Sequence, residues 1–256
     1  MITQKLIEFV SAMSLEGLAI PEAPPNSGAD GSRDSSMEGL ADCWSVPGVE
    51  YRNGIYTVDL KKALLDNNTS KTQDDWALYS QQAQQQSGFY VGDLPLYHAL
   101  FTALYKNKDH PAVSTVVEEA RSFLQKAFNA SWLMTLTRIK YQPKGKDIVV
   151  HNCHMPDEYQ IKQAIVGPDG LITNPQTNAQ TALTAILGSN HDISEVNNIY
   201  KWITQKDARL WRVNNKPSQV AERVARFRSD SYRANLSCCG DPRDSGSACG
   251  VRFARS

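Results

Sequence analysis

Ala234-Asn235-Leu236-Ser237-Cys238-Cys239 is the stretch on which the reading turns. Ala234, Leu236 and Cys238 alternate with Asn235, Ser237 and Cys239, a period of two that predicts a strand with one packed face and one open face. Gly240-Asp241-Pro242-Arg243-Asp244-Ser245-Gly246-Ser247 follows and has the composition of a loop. Gly250-Val251-Arg252-Phe253-Ala254 then returns as an apolar strand. Read by itself, this pattern also describes an ordinary exposed hairpin with a polar loop.

A compositional gap surrounds the same stretch. The 34 residues from Arg223 to Ser256 include no Lys, Gln, Glu, Met or Trp, although these five types make up 49 of the 256 residues. Chance leaves such a gap in roughly one window of this length in a thousand. The five missing types are those that no codon ending in a pyrimidine can encode. Side chains on an open strand face or loop bury little area, so exchanging them costs little stability.

Upstream, residues 4–13 read as a short helix. Residues 21–37, PEAPPNSGADGSRDSSM, read as a linker or exposed loop. Residues 72–129 read as helical. Asp93 before Leu94-Pro95 is an expected N-cap, Pro111 is expected to start the next helix, and residues 81–86 (QQAQQQ) form a solvated helix face. From Trp132 the period changes to two: Met134 and Leu136 alternate with Thr135 and Thr137, and strands are expected near 148–150 and 159–165. Gly167-Pro168-Asp169-Gly170 supplies a turn, Asp192 and Glu195 a capping box, and Arg209 to Val213 a further strand. Helices first and mixed elements afterwards argue for an α+β fold. The expected units are residues 1–40 (helix and linker), 41–130 (a mainly helical region packed on the body) and 131–256 (a domain carrying a variable segment at about 226–249).

Composition excludes several functions. The net charge is zero, with 27 basic and 27 acidic residues. The cluster of Arg223, Arg226, Arg228 and Arg233, with Phe227 and Tyr232 among them, is a weak nucleic-acid signal, and no nucleic-acid partner is expected. No apolar run is long enough to span a bilayer, and residues 1–20 do not resemble a secretory signal. The expected location is therefore the cytoplasm. The five cysteines include no Cys-x-x-Cys pair and suggest no disulfide framework. His151, Cys153 and His154 are the tightest group of potential metal ligands. On a strand, however, His154 points away from the other two, so the reading is polar residues at a strand end. Asp157 and Glu158 read as solvated. No metal, cofactor or catalytic residue is expected. No phosphate loop, dinucleotide fingerprint or zincin motif occurs, nor does a clustered acidic calcium loop.

Arg233-Ala234-x-Leu236-x-Cys238-x-Gly240-x-Pro242, followed by Ser247-Ala248-x-Gly250-Val251-Arg252-Phe253-Ala254-Arg255, resembles the variable proteins of diversity-generating retroelements, most of all their archaeal members. Leu210-Trp211-Arg212-Val213-Asn214 and Lys216-Pro217-Ser218 are similar too. The likeness covers roughly the last fifty residues. The Gly-Val-Arg-Phe ending is also similar to the formylglycine-generating branch of the C-type lectin fold, to which those variable proteins belong. The resemblance implies a C-type lectin fold in the C-terminal half. It also implies a non-enzymatic, receptor-like protein whose surface is diversified by error-prone copying at adenines, with a protein or surface ligand that differs between sister copies. Carried over, the variable ligand-binding positions are Arg228, Ser229, Asp230, Tyr232, Asn235, Ser237, Cys239, Asp241, Arg243, Asp244, Gly246 and Cys249. The fixed frame is Phe227, Ala234, Leu236, Gly250, Val251 and Phe253. Two alternatives stay open: an oxidase of the formylglycine-generating type using Cys238, Cys239 or Cys249, and a structural or assembly protein.

Overall fold

The structure, a computed structural model, describes residues 42–168, 170–171 and 179–254. The helix expected at residues 4–13, the linker at 21–37 and the whole 1–40 unit lie outside the described residues, as does Asp169 of the expected turn. The fold is α+β, as expected, although two strands, and not helices, come first among the described residues.

The described residues open with a hairpin that the sequence analysis does not assign: β1 (Cys43–Tyr51) and β2 (Gly54–Leu64) pair antiparallel. Pro47-Gly48 sits inside β1 as a bulge, with the register shifting between Val46 and Val49 and Gly48 at φ 72°. A short 3₁₀ turn, Leu65–Asn68, leads to α1 (Gln73–Gln85), α2 (Leu94–Lys106) and α3 (Ser114–Ala130). Asp93 caps α2 as expected, its carboxylate accepting from the Leu96 N–H at 2.9 Å, with Pro95 in the first turn. The third helix starts at Ser114, not Pro111: residues 110–113 form a turn closed by Val113 N–H to His110 O.

The next strands are β3 (Leu133–Tyr141), β4 (Asp147–His151), β5 (Tyr159–Gln163) and the two-residue β6 (Gly170–Leu171). Two helices follow, α4 (Ala179–Leu187) and α5 (Ile193–Thr204); the latter opens with the expected Asp192/Glu195 capping box. The chain ends in β7 (Ala208–Trp211), β8 (Ala221–Ser229), β9 (Ala234–Gly240) and β10 (Cys249–Phe253). One sheet runs β5-β4-β3-β8-β9-β7-β6, and the other runs β1-β2-β10. The neighbours β8 and β9 are antiparallel, whereas β7 and β9 are parallel. Thr135 and Thr137 alternate with Met134 and Leu136, yet all four are buried. Gln73 of α1 lies over this strand and donates to both threonine carbonyls, at 2.7 and 3.0 Å.

Phe227 is the hinge of the core. Its ring lies 5.4 Å from Phe128 of α3, 5.7 Å from Phe101 of α2, 5.8 Å from Tyr200 of α5 and 6.2 Å from Tyr97 of α2. Helices from the first half thus seal one face of the large sheet, and a single cluster of buried side chains runs through both halves. Among the described residues, no helix covers the opposite face of β7, β8 and β9. β10 does not return as a hairpin partner of β9. It crosses to the small sheet and pairs with β2, Val251 opposite Leu60. No helix among the described residues is long and apolar enough to cross a membrane.

Candidate functional site

The alternation in β9 sets its two faces as expected, but the face away from the core is open only at Cys239. Ala234 and Leu236 face the core opposite Ala208 and Leu210 of β7 and Ser229 and Phe227 of β8. Asn235 and Ser237 point to the other face and complete two cross-strand rows. One row is Arg209–Asn235–Arg228, the other Trp211–Ser237–Arg226. Cys239 continues this face and is exposed.

Two tryptophans organise the arginines on this face. Arg226 and Arg228 lie over the Trp132 ring, with guanidinium carbons 4.4 and 5.5 Å from its centroid. Arg209 and Arg233 lie over Trp211 at 4.4 and 5.4 Å. These cation–π stacks spread long side chains flat across the strands, which is why Asn235 (6% exposed) and Ser237 (3% exposed) are covered although they face away from the core. Trp211 Nε1 donates to Asn235 Oδ1 at 2.8 Å, and Asn235 Nδ2 donates to Asp230 Oδ2 at 3.0 Å. Three arginines of the region have acidic partners: Arg226 with Asp244 (3.0 Å), Arg233 with Asp230 (3.2 Å) and Arg243 with Asp241 (2.8 Å). Among the described residues, Arg209 and Arg228 have no ion-pair partner, and their buried Nε atoms have no hydrogen-bond partner. They stand in one row on either side of Asn235.

The β8–β9 turn is built by Asp230. Its Oδ1 accepts from the backbone N–H groups of Tyr232 (2.8 Å) and Arg233 (3.0 Å). Burial pushes the carboxyl pKa up, but these bonds and those from Asn235 and Arg233 outweigh it and hold the pKa at about 2. Tyr232 projects from the tip, 86% exposed. In the next loop Asp241 accepts from the backbone and side chain of Arg243, which holds its carboxyl far below the usual range. Asp244 is exposed and its N–H donates to Asp241 O.

The expected variable positions therefore divide. Tyr232, Cys239, Arg243 and Asp244 are exposed; Arg228, Asp230 and Asp241 are half-buried; Asn235 and Ser237 form the floor. Ser229, Gly246 and Cys249 belong to the frame. Ser229 is buried on the core side of β8, where Lys206 Nζ donates to its hydroxyl at 3.1 Å. Gly246 exchanges two backbone bonds with Lys71 and accepts from Trp76 Nε1 at 2.8 Å. A Cβ there would stand 2.6 Å from the Trp132 carbonyl oxygen. Cys249 is buried opposite Leu64, and burial pushes its thiol up to about 12. Phe253, expected in the frame, is partly exposed and packs on Tyr56 at 4.8 Å.

Trp132, Arg209 and Trp211 escaped the sequence reading of the site. The alternation of Arg209 and Trp211 with Ala208 and Leu210 is the signal that places the first pair outward. Trp132 carries no such signal, because the β3–β8 pairing that brings it here is long-range.

A separate cleft of about 830 Å³ lies among Tyr51, Arg52, His98, Lys106, Tyr159 and His191. Its polar groups largely satisfy one another. Arg52 pairs with Asp157 at 2.9 Å, Lys106 with Glu50 at 3.0 Å, and His98 Nε2 with His191 Nδ1 at 3.0 Å. Burial, then His191, pulls the His98 pKa down to about 3, so this imidazole is neutral at physiological pH. Asp157 is exposed, as expected, and also pairs with Arg52. No family model, characterised protein or solved structure matches this chain.

Proposed function

We propose that this protein is a non-enzymatic ligand-binding module whose open β7–β8–β9 face and adjoining turns carry exchangeable side chains. In this copy the face is suited to an acidic group on a protein or surface partner. One observation carries the reading: Arg209 and Arg228, stacked on Trp211 and Trp132 and without acidic partners among the described residues, flank Asn235 in a single row. Stacked guanidiniums are pre-organised donors for a carboxylate, and pre-organisation lowers the ordering cost of binding. Tyr232 and the two tryptophans are of the kinds enriched at binding hot spots.

The division of the C-terminal segment supports the diversified-surface reading suggested by the retroelement resemblance. Exposed side chains fall on the two turns and, in β9, at Cys239. Both ends of the segment are held by core packing at Phe227 and by β10–β2 pairing. The C-type lectin assignment belongs to the same proposal.

Selection on a displayed peptide library tests the proposal. Binders recovered against the full chain should be enriched in Asp and Glu. Their affinity should fall at least tenfold in the Arg209→Ala/Arg228→Ala double variant, while Lys61→Ala, on the small sheet, leaves it unchanged. Recovery of neutral or basic peptides, or equal binding by the double variant, overturns the acidic-ligand reading. A second library, randomised at Tyr232, Cys239, Arg243 and Asp244, should yield folded protein in most members; widespread misfolding overturns the exchangeable surface.

A further inference from the structure

The turn after β4 brings together a thiol, an imidazole and a carboxylate, those of Cys153, His154 and Glu158. Asn152 and His154 both adopt positive φ, 51° and 66°, a region that non-glycine residues seldom occupy. The backbone therefore reverses twice within three residues. His151 turns inward: its Nδ1 lies 3.0 Å from Thr137 Oγ1 and its Nε2 2.9 Å from Ala185 O, so it is not part of the group. Cys153 stays buried, tied to β3 by its N–H to Leu136 O at 2.9 Å. Glu158 folds back over the turn, its Oε2 accepting from the His154 N–H at 2.9 Å. As a result Cys153 Sγ, a His154 ring nitrogen and a Glu158 carboxylate oxygen all lie within 4.8 Å of one another.

We propose that residues 153–158 form a binding site for a zinc-class divalent cation, with Cys153, His154 and Glu158 as ligands and a fourth position open to water. A set of one sulfur, one imidazole nitrogen and one carboxylate oxygen suits zinc and its neighbours, and not magnesium or calcium, which prefer all-oxygen shells. Tetrahedral zinc requires ligand atoms roughly 3.2–3.7 Å apart, given bonds of about 2.0–2.3 Å. Rotation of His154 and Glu158, both exposed, closes the difference around the fixed sulfur. Asp74 Oδ1 lies 3.2 Å from His154 Nε2, and Asp74 is itself held by Arg138. Metal-binding histidines commonly have a carboxylate on the ring in this way, which sets their orientation. The site lies at the β4–β5 turn beside α1, which carries Asp74. Its existence does not depend on the ligand-binding proposal.

Cobalt titration of the metal-stripped full chain tests the site. One equivalent should bind and give the intense near-ultraviolet absorption of a cobalt–thiolate bond, and zinc should displace it. Cys153→Ser should abolish that absorption and weaken binding about 100-fold, whereas Cys239→Ser, at the exposed thiol of β9, should change neither. Because Cys153 is buried, His154→Gly supplies a second arm: glycine accepts φ 66°, so the fold is retained while cobalt affinity falls by a similar factor. Asp74→Asn should weaken binding about tenfold. An absorption that survives Cys153→Ser, binding unchanged in His154→Gly, or no stoichiometric binding by the parent overturns the proposal.

Discussion

Replacing Gly246 by alanine tests whether the C-terminal segment is an exchangeable surface held on a rigid frame. The new Cβ would lie 2.6 Å from the Trp132 carbonyl oxygen and 3.0 Å from Met134 Cγ. The methionine can rotate, but the carbonyl is backbone, so relief requires the 246 segment to lift from β3. Lifting it strains three hydrogen bonds, the pair with Lys71 (3.0 and 3.1 Å) and the one from Trp76 Nε1 (2.8 Å). Overpacking against a fixed atom costs about 1–3 kcal/mol, and each weakened bond about 1 kcal/mol. A loss of about 3 kcal/mol is therefore expected. For a protein of this size that lowers the melting midpoint by roughly 6–12 °C. Tyr232→Ala is the control. Its ring is 86% exposed, so the change should stay within about 0.5 kcal/mol. Thermal melts followed by circular dichroism at pH 7 would read both. A Gly246→Ala variant as stable as the parent would show that the loop is not clamped. A Tyr232→Ala variant as damaged as Gly246→Ala would show that the turn is structural, and the diversified surface would lose its basis.

Three further outcomes follow from groups away from that face. Asp93 is fully buried; burial raises its carboxyl pKa to about 6, against the lowering effect of the Leu96 N–H, the Tyr51 hydroxyl and Arg52. A raised acid pKa means the native state holds its proton longer, so the penalty is absent below about pH 4 and complete above about pH 6, reaching about 3 kcal/mol. Asp93→Asn keeps the helix cap, so its midpoint relative to the parent should rise between pH 4 and pH 7; a constant difference would refute the assignment. Asp147 behaves oppositely. Burial pushes its pKa up, but Lys216 Nζ (2.7 Å) and the N–H groups of Ile165 and Gln142 outweigh that and lower it. Its contribution is therefore present above the ordinary carboxylate pKa of about 4 and lost as the pH falls through the lowered value. Asp147→Asn should destabilise by about 3 kcal/mol at pH 7 and by much less at pH 2.5, measured by urea unfolding. Finally, Cys239 is the exposed cysteine of the five. A thiol reagent should label one site quickly in the native protein, and Cys239→Ser should remove that phase; two fast sites would contradict the burial of Cys249.

Local chemistry was legible in the sequence, and long-range pairing was not. The cap at Asp93, the capping box at Asp192 and the two faces of β9 each depend on residues within four positions of one another, so the pattern contains its own cause. Gly246 shows the opposite case. By composition it belongs to a polar loop, but its partners are Lys71 and Trp76, more than 160 residues away, and those contacts turn a loop glycine into part of the frame. Cys249 was misplaced for the same reason, since its burial comes from β2. The arginine face combines both kinds of information. Alternation along each strand sets which way Arg226, Arg228 and Arg209 point, while only the β7–β9 and β8–β9 pairings set Arg209 and Arg228 on either side of Asn235. The property proposed for this face, two guanidiniums across one asparagine, therefore belongs to the topology. Under the proposed diversification, a copy exchanged within residues 226–249 would keep Arg209 and Trp211 and would change Asn235 and Arg228 beside them. Recognition would then have one half supplied by the scaffold and the other by the exchanged side chains.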